Sequence, residues 1–341
     1  MTAPRSIVIV KLSAIGDVLH GVPVAVALKR SFPEARIGWA VEGRAADVLA
    51  GHPAVDHLFR LPRGWLQSPR TVLSLRRQLR WFAADVTIDL QGLLKSAIVT
   101  TLAGAPVRIG HARPESREHA WLAYSHPVVT SAAHVVERNL ALLEPLGCTG
   151  AEPAFDMPRW PVSRLRVQRW ISALRLSRPP VVFNPGAGWP SKRWPVARFA
   201  AAARAVARLD GQPVIVVWGG EQERSAAERI VSDASGGAIA APATSLQDLG
   251  ELCRLSRVFV SGDTGPLHLA AAVGTPCVGL CGPVPASRNG PYGRGHVSVE
   301  PPADLRPAWA ERKTDTAAMA AIDVDCVVAA TESALARCRA A

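Results

Sequence analysis

Apolar residues in this chain come in short unbroken runs, each followed by a longer stretch where they recur every three or four positions. Ile7-Val8-Ile9-Val10 is such a run, and Val18, Leu19, Val22, Val26 and Leu28 continue it with helical spacing. A short run without polar alternation suits a strand buried on both faces, and the longer spacing suits an amphipathic helix. Read this way, the first half predicts strands at 6–10, 36–41, 55–60, 85–89 and 106–109. Helices fall between them at 18–31, 43–50, 70–82 and 92–103. The rhythm breaks over 150–179, where Pro153, Pro158, Pro161, Pro179 and Pro180 surround a helical pattern at 162–175. It resumes with strands at 181–183, 213–218, 238–241, 257–260 and 276–280. The helices of this half fall at 196–209, 221–233, 245–254 and 266–273, and a last one at 322–338.

Strand and helix in strict alternation imply an α/β protein whose mostly parallel sheets carry helices on both faces. Two such series predict two Rossmann-like, doubly wound domains, 1–155 and 180–341, joined by the proline-rich connection 156–179. A chain of 341 residues is comfortable for two domains. In open parallel sheets ligands sit beyond the carboxyl ends of the strands, so a cleft between two such edges is the expected binding place.

Composition narrows the partners. Hydrophobic content of 48% with 20% charged residues is that of a globular chain, and 39 basic against 28 acidic side chains leave a net charge of +11. That surplus favours anionic partners. Nucleic acid is disfavoured among them, because 2 Tyr, 7 Phe and scattered Trp provide no stacking platform among the arginines. Cysteines 148, 253, 277, 281, 326 and 338 show no C-x-x-C spacing, which argues against zinc and for a reducing cytoplasm. No apolar stretch is long enough to predict a transmembrane helix, so the expected location is cytoplasmic, with any membrane contact peripheral.

The candidate chemistry lies at predicted strand ends. Ser261-Gly262-Asp263-Thr264-Gly265-Pro266-Leu267-His268 follows the strand Val258-Phe259-Val260 and opens a helix, with Pro266 in the first turn. A strand, a turn of small residues and a helix N-terminus make an anion site from unpaired N–H groups and the helix dipole. The alternative is an ordinary turn in which Asp263 and Thr264 cap the helix. Asn184-Pro185-Gly186-Ala187-Gly188-Trp189-Pro190-Ser191-Lys192 follows another strand, and Lys192 offers a point charge for phosphate. Glu223, after Trp218-Gly219-Gly220, could accept from ribose hydroxyls or merely complement a helix dipole. Near the N-terminus, Gly16 permits a tight turn and Asp17 stands at its mouth. The spacing there is not G-x-G-x-x-G, which disfavours a dinucleotide dehydrogenase. Arginines 60, 63, 70, 76, 77 and 80, then 108, 113 and 117, form either a solvated face or a patch for an anionic acceptor. Asp323-Val324-Asp325 is read as capping rather than as a metal-binding pair.

Taken together, Val8 to His20, Asp89-Leu90-Gln91-Gly92-Leu93-Leu94-Lys95-Ser96, the Lys192 loop and Gly262 to Ala270 resemble the bacterial lipopolysaccharide heptosyltransferases of glycosyltransferase family nine. The Gln91–Ser96 segment looks most like the type I enzymes, which add the first heptose. The resemblance implies a GT-B fold, an ADP-heptose donor, inversion at the anomeric carbon and catalysis without metal or other cofactor. It implies Asp17 as general base, and Lys192, Glu223, Asp263 and His268 as donor-holding residues. Thr264 and Gly265 match the family's phosphate-contacting backbone. Arg63 and Arg117 match basic residues near an acceptor of the Kdo–lipid A type. Competing readings are a type II-like transferase of the same family with another acceptor, or a non-catalytic sugar-nucleotide binder.

Overall fold

The computed structural model describes residues 3–150 and 152–340, and they form two compact units, Met1–Pro158 and Arg159–Ala341. The first unit is built on strands β1 (Ser6–Val10), β2 (Arg36–Glu42), β3 (His57–Leu61), β4 (Val86–Asp89), β5 (Val107–His111) and β6 (His126–Val128). They pair in the order β3-β2-β1-β4-β5-β6, every pair parallel. Ile7, Val8, Ile9 and Val10 are wholly buried, as a central strand covered on both faces requires. One core gathers Val8, Val10, Phe59 and Trp65 with Leu75, Leu79 and Phe82 of the helix Pro69–Phe82. That helix starts where Ser68 Oγ accepts the Thr71 N–H at 3.3 Å, with Pro69 in its first turn. It stops at Ala83, whose backbone is left-handed.

The second unit repeats the plan. Its strands are β7 (Val181–Asn184), β8 (Val214–Val216), β9 (Ala238–Ala240), β10 (Val258–Gly262), β11 (Cys277–Leu280) and β12 (Val297–Val299). They pair in the order β12-β11-β10-β7-β8-β9, again all parallel. Phe183, Phe199, Trp194, Val258 and Val260 centre its core. The helix Pro161–Ala173 packs on the helix Leu246–Arg254 within this unit, and the Trp160 N–H donates to Glu251 at 3.0 Å. The carboxyl ends of the strands in each sheet therefore share one edge, and Asp17, Arg63, Arg117, Lys192, Glu223 and Asp263 all follow such ends.

Observed elements fall close to the expected ones. The 43–50 stretch divides into a short turn, Gly43–Ala45, and a one-turn helix, Ala46–Leu49. The elements not foreseen include β6, β12 and the helix Val135–Ala141. All six cysteines are unpaired thiols. Among the described residues no helix is long and apolar enough to cross a membrane.

Candidate active site

Strand β10 runs out at Gly262, and the helix Gly265–Ala272 begins three residues later. Asp263, in the turn between, is 4% exposed. Its Oδ2 accepts from the Lys192 ammonium at 2.6 Å, and its Oδ1 bonds His268 Nε2 at 2.9 Å. Burial alone would raise this carboxyl. The His268 hydrogen bond and the Lys192 charge outweigh it and hold Asp263 below its ordinary range, so it stays ionised. Thr264 occupies the N-cap position, yet its side chain makes no capping bond. Its hydroxyl instead lies 3.0 Å from Ser261 Oγ and receives the Asn184 amide at 3.3 Å. The capping alternative for Asp263 and Thr264 thus fails: Asp263 ties the turn to the Lys192 loop and to His268, and Thr264 ties it to the ends of β7 and β10. The first-turn N–H groups of the helix are left without side-chain caps.

Two glycines set how closely the loops approach this turn. A Cβ on Gly262 would stand 2.6 Å from the Lys192 carbonyl oxygen, so the backbone carrying the ammonium lies directly on the strand end. A Cβ on Gly186 would fall 2.2 Å from Cδ of Glu223, so the carboxylate fills the space a side chain would need. Glu223 also accepts the Gly219 N–H at 2.8 Å, which draws the end of β8 and the Lys192 loop together around one carboxylate. Trp189 lies under the lysine, with its ring 4.6 Å from the ammonium. Lys192, Glu223, Asp263, Thr264, Gly265 and His268 thus belong to one connected edge of the second sheet.

The corresponding edge of the first sheet carries Asp17. It lies in the first turn of the helix Ile15–Ser31, and its Oδ2 accepts the Ala14 N–H at 3.0 Å. Its Oδ1 makes no hydrogen bond among the described residues. The turn is tied to β4: Gln91 Oε1 accepts the Leu12 N–H at 2.7 Å. Asp89, fully buried, accepts from the Gln91 and Gly92 N–H groups at 2.8 and 3.1 Å and from the Tyr124 hydroxyl at 2.8 Å. Burial raises the Asp89 carboxyl above its usual range. Lys11 is buried with its ammonium on the Leu90 carbonyl at 2.8 Å. His111, at the end of β5, is pushed down to about 4 by burial and by the Lys11 charge. Lys95 pairs with Glu42.

Lys11, Asp89, Gln91, Tyr124, Asn184 and Ser261 carry this scaffolding without having been read as site residues. The available signal was polar residues closing apolar runs, as Lys11 and Asn184 do.

Arg63 and Arg117 follow the ends of β3 and β5, and both are exposed. Neither guanidinium is held by an ion pair or hydrogen bond among the described residues. Several of their neighbours are occupied: Arg60 pairs with Asp47 at 3.1 Å, and Arg80 reaches the Leu102 carbonyl at 3.1 Å. Arg108 bonds the Ala123 and Ala105 carbonyls at 2.7 and 3.0 Å, and Arg113 stacks over Trp121 at 4.6 Å. Asp325 lies in the first turn of the helix Val324–Ala340. Among the described residues no cluster of three His, Cys, Asp or Glu side chains could hold a metal ion.

Two parallel six-stranded Rossmann-like sheets, each with its chemistry-bearing loops at the carboxyl edge, define a GT-B-type protein. The family model described as glycosyltransferase family 9 (heptosyltransferase) matches residues 72–313. The chain belongs to that family and is a glycosyltransferase. It is 29% identical over 308 residues to lipopolysaccharide heptosyltransferase 1 of Pseudomonas aeruginosa, covering 86% of this chain and 83% of that one. It is 27% identical over 277 residues to lipopolysaccharide heptosyltransferase 3 of Escherichia coli, covering 78% and 80%. The fold is also that of the E. coli heptosyltransferase WaaC solved with ADP, with a TM-score of 0.78 at 24% identity over 96% of this chain and 99% of that one.

Proposed function

We propose that this protein is a type I heptosyltransferase, transferring heptose from ADP-L-glycero-D-manno-heptose to the Kdo region of the lipopolysaccharide inner core. The Lys192–Asp263–His268 cluster at the start of an uncapped helix carries the donor half of this reading. A lysine fixed by a buried carboxylate, beside N–H groups without side-chain caps, suits a diphosphate. Glu223 suits a hydroxyl-bearing donor group, since a carboxylate accepts from hydroxyls. The likeness to the P. aeruginosa type 1 enzyme supports the first-heptose assignment, and the likeness to a type 3 enzyme keeps other acceptors as the nearest rival.

In the reaction an acceptor hydroxyl attacks the anomeric carbon from the face opposite ADP. The new C–O bond forms as the bond to the phosphate oxygen breaks, the configuration inverts and ADP leaves as the anion. Asp17 takes the hydroxyl proton on its unengaged Oδ1. Lys192 and the backbone at Thr264 and Gly265 stabilise the charge gathering on the diphosphate, a role that needs no metal. Arg63 and Arg117 meet the phosphates and carboxylates of a Kdo–lipid A acceptor, at the membrane surface where that lipid resides.

The deciding experiment offers the purified protein a panel of nucleotide sugars with Kdo-bearing lipid A, in EDTA, and identifies products by mass. A single added heptose from ADP-heptose is the expected result. No product with Kdo–lipid A, but product with an acceptor already bearing one heptose, would overturn the type I assignment. Activity lost in EDTA and restored by magnesium or manganese would overturn metal-free catalysis.

A further inference from the structure

The helix Pro69–Phe82 has a face that its own fold does not use. Leu75, Leu79 and Phe82 turn into the core, while Trp81 is 77% and Leu73 55% exposed. Leu66, in the turn just before the helix, is 41% exposed. Leu73, Arg77 and Trp81 follow one another at four-residue spacing, so they line one stripe about 12 Å long. Arg70 and Arg76 are exposed on the same helix, and no Asp or Glu occurs between Pro69 and Phe82. Arg80 is occupied by the Leu102 carbonyl, but no ion pair among the described residues holds Arg70, Arg76 or Arg77.

We propose that this face docks on an anionic phospholipid surface. A site for a soluble phosphate or saccharide would account for the arginines but would leave the exposed indole and leucine without a purpose. At a lipid surface the two kinds of side chain are used together. Trp and Leu enter the boundary between head groups and acyl chains, and guanidinium groups stay at head-group level against phosphate. The helix Leu94–Ala103 packs alongside and the turn Ala120–Ala123 packs beyond it, exposing Leu94 at 53% and Leu122 at 77%. Glu118 accepts the Leu94 N–H at 3.2 Å on this flank, and the arginine helix itself carries no acidic residue. A single short helix with a few apolar side chains gives reversible attachment.

This deepens the lipid-acceptor reading, yet vesicles without saccharide test it separately. Sucrose-loaded vesicles of phosphatidylcholine, alone or mixed with phosphatidylglycerol, are sedimented with the full chain. The protein is expected to pellet with the mixed vesicles, less as salt rises, and to stay in solution with phosphatidylcholine alone. Leu73→Ser with Trp81→Ser should weaken binding about tenfold while the thermal transition and ADP affinity hold. Trp81→Phe should retain most of the binding. Replacing Arg70, Arg76 and Arg77 together by Gln should abolish the phosphatidylglycerol preference. Equal pelleting of wild type and the double serine variant overturns the proposal. So does binding indifferent to phosphatidylglycerol, or retention on heparin with none on vesicles.

Discussion

Lys192 and Asp263 meet at 2.6 Å although 71 residues separate them. The pair is mostly shielded, with side chains 14% and 4% exposed. A pair so placed holds a cation in one position instead of leaving it to sweep through solvent. On the proposed function, Lys192→Ala removes the charge facing the donor diphosphate. We expect kcat/KM to fall by about 10²–10³-fold, with weaker ADP binding in a calorimetric titration. Unchanged binding and rate would return the loop to an ordinary solvated surface.

Asp17→Asn keeps the shape of the side chain and removes the proton acceptor. Turnover should drop by about 10²–10⁴-fold while ADP affinity stays near wild type. The split between the two parameters is the informative part. A variant that turns over normally would exclude Asp17 as the base, and one that loses ADP binding would make it a donor residue.

Arg63 and Arg117 belong to the first unit, and the loops proposed to hold the donor belong to the second. Replacing both arginines by alanine should raise the acceptor KM and flatten its dependence on ionic strength, leaving donor KM unchanged. Initial rates at several salt concentrations check this. A loss of donor affinity instead would mean that the two halves have been assigned the wrong way round.

His111 gives a pH signature. Its folded value of about 4 lies below the 6.5 of an unperturbed imidazole, so between those values the unfolded chain binds the proton and the fold resists it. Stability is therefore full above about pH 6.5, declines as pH falls towards 4, and levels off below; the gap corresponds to about 3 kcal/mol. His52 and His296, also lowered by burial, act in the same direction. The test is thus a difference: urea unfolding of His111→Gln should show a shallower decline over that window than wild type. Parallel curves would remove His111 from the account.

The strands most legible in the sequence, such as β1, β7 and β10, are those whose side chains are buried on both faces, a setting that an unbroken apolar run satisfies. Whereas the equally short edge strand β9 keeps Ala238-Ile239-Ala240 unbroken, strands β6 and β12 escaped because a proline or serine interrupts each, in His126-Pro127-Val128 and Val297-Ser298-Val299. Neither shows a run long enough to stand out. Within the site, the strand-turn-helix around Asp263 was readable from local order alone. The use of its carboxylate was not, since Lys192 reaches Asp263 only by tertiary contact across 71 residues, and a cap is the commoner fate of an Asp before a helix. Likewise Gln91 and Asp89 were visible only as part of a family motif. Their work of holding the Asp17 turn depends on β1 and β4 lying side by side, which no local pattern reveals.

The contact between Gly262 and the Lys192 carbonyl bears on how relatives should be sought. Surface lysines are gained and lost cheaply over evolutionary time, and a lysine aligned with position 192 can be a coincidence of a basic chain. A glycine whose Cβ would stand 2.6 Å from that carbonyl is far harder to replace. Distant sequences that keep both residues would have inherited the geometry as well as the charge. Those that keep the lysine and carry a larger residue at 262 should be treated as having lost the proposed donor site, whatever their overall similarity.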